Sequence, residues 1–282
     1  MSTAPSWDLV IRPQRGLLAI PLAEIWRYRD LLLLLVRRDF VALYKQTILG
    51  PLWFLIQPLL TTLMFSLVFG RIAGLSTDGL PRLLFYLAGV TAWGYFAETL
   101  TKTSETFVQN ANVFGKVYFP RMIVPLSVVV SNLLKFAIQF LLFVGFLLWY
   151  LSQGAAVHPQ PTLLLLPVLI LLMGGLGLGL GMIISALTTK YRDLRFLLGF
   201  AVQLLMFATP VIYPLSTLTA EYRWLLLANP VTPIIETFRH GFLGRGDFHW
   251  VHLGYSAVFM VVTLALALVI FNQVEKNFMD TV

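Results

Sequence analysis

No cysteine occurs in the 282 residues. That removes a disulfide framework, a thiolate nucleophile and a cysteine metal site together. Charge is scarce as well: 12% of residues are Asp, Glu, Lys or Arg, against about 25% in an ordinary soluble domain. The seven Asp and six Glu are scattered, with no D-x-D pair, so the clustered carboxylates of a metal-dependent transferase are missing. There is no G-x-x-x-x-G-K-[ST] phosphate loop. The nearest Gly-Lys pair, Gly115 and Lys116, is followed by Val117 and has no glycine five residues earlier, which excludes nucleotide binding through a P-loop. The four histidines give no metal pattern; His249 and His252 are spaced i, i+3 but lack a companion carboxylate pattern. Residues 1–30 hold Pro5, Pro13, Pro21 and four arginines, without the apolar core of about 7–15 residues that marks a signal peptide.

Apolar residues are what the chain has, at 58%. From Gln46 to Gly70 run 25 residues without a charge, longer than the roughly 20 that cross a bilayer as a helix. Arg37, Arg38 and Lys45 stand just before it. The pattern predicts an all-α integral membrane protein with six transmembrane helices, at about 48–70, 83–101, 122–150, 162–187, 196–215 and 253–273. Residues 1–47 form a cytoplasmic N-terminal segment, and 48–282 a single membrane domain. With the N-terminus inside, 14 Lys and Arg fall in cytoplasmic segments and 5 in outer ones; this bias places both termini in the cytoplasm. The net charge of +7 is spread through the gaps between apolar runs and gathers on no hydrophilic face, which argues against a nucleic-acid partner.

Two segments outside the spans have their own character. In 21–30, Leu22, Ile25 and Trp26 share a face at i, i+3, i+4 behind Pro21, which reads as a helix lying in the membrane interface. The segment 209–250 is too apolar for a solvated loop and too broken by Pro210, Pro214, Pro230 and Pro233 for a span; short re-entrant helices fit it. Within the spans, Lys135 is the one ionisable group well inside. It is either a cation facing a pathway or a lysine that snorkels or pairs with a neighbouring helix. Gly175/Gly179 and Gly177/Gly181 give two G-x-x-x-G spacings suited to close helix packing. Aromatics crowd the second and fifth spans, among them Tyr86, Trp93, Tyr95 and Phe96, then Phe196, Phe200, Phe207 and Tyr213. They read either as lipid-facing bulk or as a surface on which sugar rings stack.

Three motifs carry a resemblance. The first joins Trp26, Arg27, Tyr28, Arg29 and Asp30 to Arg38 and Asp39, then to the run YKQTILGPLW from Tyr44 to Trp53, then to Gln57 and Pro58. The second is KVYFPR, from Lys116 to Arg121, followed by Pro125. The third is NPVTPIIETFR, from Asn229 to Arg239. Together they resemble the membrane subunit of ABC-2-type bacterial polysaccharide exporters, the O-antigen and teichoic-acid export permeases. The resemblance implies a non-catalytic subunit in the bacterial cytoplasmic (inner) membrane. Two copies would work as a homodimer with two copies of an ATPase subunit, which would bind ATP and Mg; this chain would bind no cofactor. The substrate would be a lipid-linked polysaccharide passing through a channel between the two permeases.

The same resemblance implies roles for residues. Thr103, Glu105, Asn110, Asn112, Lys116 and Arg121 lie in the segment that would couple to the ATPase. Trp26 to Asp30 would flank the cytoplasmic mouth. Trp53, Tyr86, Trp93, Phe96, Lys135, Phe200 and Phe207 would line the pathway. Tyr213, Glu236 and Arg239 would belong to the outer gate. The competing readings are an ABC-2 permease for a drug or small lipid, a membrane enzyme processing polyprenyl lipids, and a passive channel.

Overall fold

The computed structural model of the chain describes residues 22–45, 47–114, 119–188, 191 and 193–281. Regular structure among them is helical throughout. The chain enters through α1 (Leu22–Arg27), turns at Tyr28 and continues as α2 (Arg29–Tyr44). The interfacial helix expected at 21–30 is therefore two helices, and the second is much the longer. Leu35 and Val36 of α2 are buried while Arg37 and Arg38 are exposed, so α2 lies against the protein on one face only.

A 3-10 turn at Gly50–Leu52, with Pro51 in its first turn, leads into α3 (Trp53–Phe65), which widens into a π-helix at Ser66–Ile72. Next come α4 (Arg82–Ser104), α5 (Thr106–Phe114) and the 30-residue α6 (Ile123–Ser152). A 3-10 turn at Pro161–Leu165 opens α7 (Leu166–Thr188), followed by α8 (Leu194–Phe207). The chain then makes α9 (Ala220–Leu227), α10 (Val231–Leu243) and α11 (Trp250–Thr281).

Among the described residues, four helical stretches are long and apolar enough to cross a membrane: Gly50–Ile72, Ile123–Ser152, Pro161–Thr188 and Trp250–Gln273. They coincide with the expected spans at 48–70, 122–150, 162–187 and 253–273. The other two expected spans come out differently. The 23 residues of α4 make about 35 Å of helix, but its threonines, Glu98 and Lys102 leave it less apolar than the four. It sits at the centre, packed by α3, α6, α7 and α10, so its polar groups meet protein. The expected span 196–215 is a helix of only 14 residues that stops at Phe207. That is about 21 Å, short of the roughly 30 Å hydrocarbon layer. Pro210 explains the stop, since it offers no N–H to the ladder and its ring disfavours helical geometry in the residue before it.

The helix α7 is held between α4 and α11 by its glycines. A β-carbon at Gly177 would lie 2.9 Å from Thr99 Cβ and 3.0 Å from the Phe96 carbonyl oxygen. One at Gly181 would lie 2.6 Å from Thr103 Cβ. On the other face, one at Gly179 would lie 3.1 Å from Thr263 Cγ2 and 3.2 Å from the Leu264 nitrogen. The two G-x-x-x-G spacings thus serve different neighbours: Gly177 and Gly181 admit α4, and Gly175 and Gly179 admit α11. Residues from α4, α6, α7 and α10 supply most of the main core, including Phe85, Phe143, Leu172 and Phe238. A smaller core under α2 and α5 gathers Leu35, Phe107, Ile123, Met182 and Phe271.

Candidate functional site

A cleft of about 540 Å³ opens among α2, α3, α4, α5 and α6, with Arg38, Phe54, Lys102, Asn110, Asn132 and Lys135 among the residues around it. Helical spacing assembles its polar side. Glu98 and Lys102 are one turn apart on α4, and Ser131, Asn132 and Lys135 fall on one face of α6. Lys135 forms an ion pair with Glu98 across the two helices. Lys102 is 3.9 Å from the same carboxylate and donates to Asn132 Oδ1 at 3.2 Å. Asn132 in turn donates to Thr99 Oγ1 at 3.3 Å. The Lys135 ammonium is 5.7 Å from the centroid of the Phe54 ring, within cation–π range. At the rim, Arg38 pairs with Asp39 at 2.8 Å. Lys135 is therefore paired with a neighbouring helix, as one of its two readings required, and still lines an open cleft.

The helix α5 forms the floor of one end and, with Glu105 in the turn before it, is pinned to three others. Arg195, at the start of α8, donates to Glu105 Oε1 at 3.1 Å. The Phe107 amide donates to Ser185 Oγ on α7 at 3.2 Å, and the Phe107 ring stacks on Phe271 of α11 with centroids 4.6 Å apart. Thr103 is buried against Gly181. Asn110 donates to the Thr106 carbonyl at 3.0 Å and faces the cleft. Arg121 is buried. Lys116 and the side chain of Asn112 lie outside the described residues.

Comparison with known proteins decides the family. The family model described as ABC-2 type transporter matches residues 30–243. This chain belongs to the ABC-2 type transporter family. It is 31% identical over 263 residues to the O-antigen export system permease protein RfbA of Myxococcus xanthus, covering 92% of this chain and 98% of that one. A Klebsiella pneumoniae protein of the same name is 26% identical over 253 residues, 89% of this chain and 94% of the relative. The polysialic acid transport protein KpsM of Escherichia coli is 22% identical over 233 residues, 81% and 87% of the two chains. The matched segment takes in the cleft, α5 and the helices on to α10.

In this ABC-2 permease the residues expected near the mouth lie on α1 and the start of α2. Trp26 is 71% exposed, with the Arg29 guanidinium 5.6 Å from its ring centroid. Arg27, Arg29 and Asp30 are exposed too, and Tyr28 packs partly on the smaller core. The aromatics divide into two groups. Tyr86, Trp93 and Phe96 are buried in the main core of the permease, because α4 is wrapped by its neighbours. Trp53, Phe200 and Phe207 stand exposed on α3 and α8.

Near the far end of α4, the residues expected at an outer gate form an anchor. Arg239, 1% exposed, donates to the carbonyls of Pro210 and Val211 and lies 3.3 Å from Glu236. Its guanidinium stacks on Phe85 at 3.9 Å. Glu236 accepts from the Asp247 amide at 3.0 Å. Burial pushes the Glu236 carboxyl above its ordinary range, and the Arg239 charge pulls it back. The pair ties α10 to α4 and to the turn after α8. Tyr213 reinforces that turn by donating to the Phe207 carbonyl at 2.7 Å. A second hollow of about 530 Å³, lined by Asp78, Arg223, Glu236, His240 and Asp247, opens beside the anchor. Among the described residues no His, Asp and Glu group suits a metal ion.

Proposed function

We propose that this chain is the membrane permease subunit of an ATP-driven exporter of lipid-linked polysaccharide, of O-antigen or teichoic-acid type, in the bacterial inner membrane. The observation that carries the reading is the near full-length match to O-antigen export permeases. In this reading α4 and the stretch starting at α8 join the four long apolar helices to make six spans. The termini and the α5 end of the molecule face the cytoplasm, in keeping with the bias of Lys and Arg. The helices α9 and α10 dip into the outer leaflet without crossing it.

The nucleotide site belongs to a separate ATPase subunit, which binds ATP and Mg. The helix α5 is where that subunit docks. Its ties to α7 and α11, and the tie of the adjoining Glu105 to α8, would carry a push on α5 into the bundle. Two permease copies would meet with the polysaccharide pathway between them. The exposed apolar faces of α3 and α8, with Leu60, Leu63, Phe196 and Phe200, are the faces left for a second copy and lipid. Trp53, Phe200 and Phe207 are the aromatics placed to meet sugar rings; Tyr86, Trp93 and Phe96 act as core. ATP closure of the ATPase pair drives the change only by favouring one permease state over the other.

Co-purification with the ATPase encoded beside this gene, followed by an ATPase assay with lipid-linked glycan, tests the reading. Association and glycan-stimulated hydrolysis are expected. ATP hydrolysis by the purified permease alone would overturn it.

A further inference from the structure

The outer face of α2 is unlike that of a helix in water. Leu33 and Leu34 stand exposed beside Arg37 and Arg38, while Leu35 and Val36 are buried on the opposite side. Leu34, Arg37, Val41 and Lys45 recur at helical spacing. With Arg38 and Ala42 they line an open trough of about 440 Å³ along the helix. Its floor is apolar and its rim is basic. At the head of the same helical pair, Trp26 is exposed, with the Arg29 guanidinium over its ring, the placing of an aromatic at a membrane surface.

The cations of the rim lack anions. Asp39 is the one acid between Asp30 and Asp78. It faces the cleft, not the trough, and Arg38 engages it at 2.8 Å. Arg37 and Lys45 have no ion pair among the described residues. They stand eight residues apart, about 12 Å along the helix. A soluble anion would meet them and leave Leu33, Leu34 and Val41 in water, which is unfavourable. A zwitterionic lipid would cover the leucines but bring its own cation to the rim. An anionic lipid answers both needs, with acyl chain on the floor and phosphate between the cations.

We propose that the outer face of α2 is a site for an anionic phospholipid of phosphatidylglycerol type, with Arg37 and Lys45 on either side of its head group and an acyl chain along Leu34 and Val41. The lipid is a resident of the membrane and not cargo, and it sits on the face turned away from the cleft. Because α2 packs on α6, a lipid held there fixes how deep α2 lies and keeps it against the bundle.

The test uses the full-length permease in a neutral detergent, with dioleoyl phosphatidylglycerol and dioleoyl phosphatidylcholine as probes and bound lipid read by native mass spectrometry. Phosphatidylglycerol is expected to bind about tenfold or more tighter than phosphatidylcholine, since each cation beside an anionic lipid is worth about fivefold. Arg37→Gln and Lys45→Gln should each weaken phosphatidylglycerol about fivefold and leave phosphatidylcholine unchanged. Arg37→Lys should retain most of the binding. Both side chains are exposed, so these variants should fold normally. Raised salt should weaken phosphatidylglycerol and spare phosphatidylcholine. Phosphatidylglycerol should also raise the melting midpoint of the wild type more than that of the Arg37→Gln/Lys45→Gln variant.

Wild-type phosphatidylglycerol affinity in the double variant would overturn the site, as would equal binding of the two lipids by the wild type. An equal loss in Arg245→Gln, which removes a cation beside the second hollow, would overturn its place on α2. Tighter binding of farnesyl phosphate than of phosphatidylglycerol, lost in the same double variant, would give the trough to a prenyl phosphate and overturn the phospholipid as its occupant.

Discussion

Replacing Gly181 by alanine adds one carbon at a tight crossing of α7 on α4. That carbon would stand 2.6 Å from Thr103 Cβ and 2.9 Å from the Leu100 carbonyl oxygen. Carbon atoms rest at about 3.5–4.0 Å, so the new contact is about 1 Å too close. Neither neighbour is the tip of a flexible chain: one is a β-carbon and the other is backbone. The helices must part, at a cost of about 1–3 kcal/mol for overpacking, offset by up to about 1 kcal/mol from alanine's better helix propensity. Gly199→Ala supplies the control, because a β-carbon there meets nothing within 4 Å. It should be neutral or slightly stabilising. Thermal melting of the detergent-solubilised protein, followed by fluorescence-detected size exclusion, reads the difference. A midpoint lower by roughly 2–4 °C per kcal/mol is expected for Gly181→Ala. Equal midpoints for the two variants would refute the close-packing account.

The other predictions concern charge. Arg239→Met leaves Glu236 buried without its partner and two carbonyls without a donor, so it should cost about 3–5 kcal/mol and show as a sharp fall in folded yield; wild-type yield would contradict the anchor role. Glu105→Gln should cost under about 1 kcal/mol, since the Arg195 pair is partly exposed, yet lower the ATPase activity of the full transporter, and unchanged coupled activity would remove α5 from the coupling route. Charge reversal at Arg121 should lower transport with membrane insertion intact, measured by export in cells alongside membrane abundance. His240 contacts Thr162 at 2.9 Å, and burial lowers its pKa against a weaker upward pull from Asp247. A folded pKa below the unfolded value of about 6.5 means its contribution is present above that pH and lost as pH falls through the folded pKa. The pH slope of stability in that window should flatten in His240→Gln.

The apolar spans were legible because long uncharged runs need only composition to be seen, and Gln46 to Gly70 is the clearest of them. The α7 glycines were legible for a similar reason, although which neighbour each pair admits depends on the fold. The stop at Phe207 was harder. Pro210 marked it, but Val211, Ile212 and Tyr213 continued the apolar pattern past the break. The extent of α2 was hidden because Arg37, Arg38 and Asp39 interrupt its apolar run, and their charge reads first as a topology signal. Long-range pairings left no local trace at all. Glu98 and Lys135 are 37 residues apart, and nothing in the sequence around Arg239 announces that it donates to carbonyls 28 and 29 residues earlier. The aromatics of α4 carry the same lesson: Tyr86 and Phe96 resemble Phe200 in composition, and only the wrapping of α4 separates core from exposed face.

The glycine faces of α7 have a mechanical consequence. With backbone nearly touching backbone on both sides, α4, α7 and α11 behave as a laminate. Where Gly177, Gly179 and Gly181 sit, little more than threonine side chains lies between the helices, so the three should move together. Any stroke of the molecule is then confined to the seams: the turn at Glu105, the start of α8, and the sparsely buried α3. A transporter built this way would flex at its margins around a stiff keel.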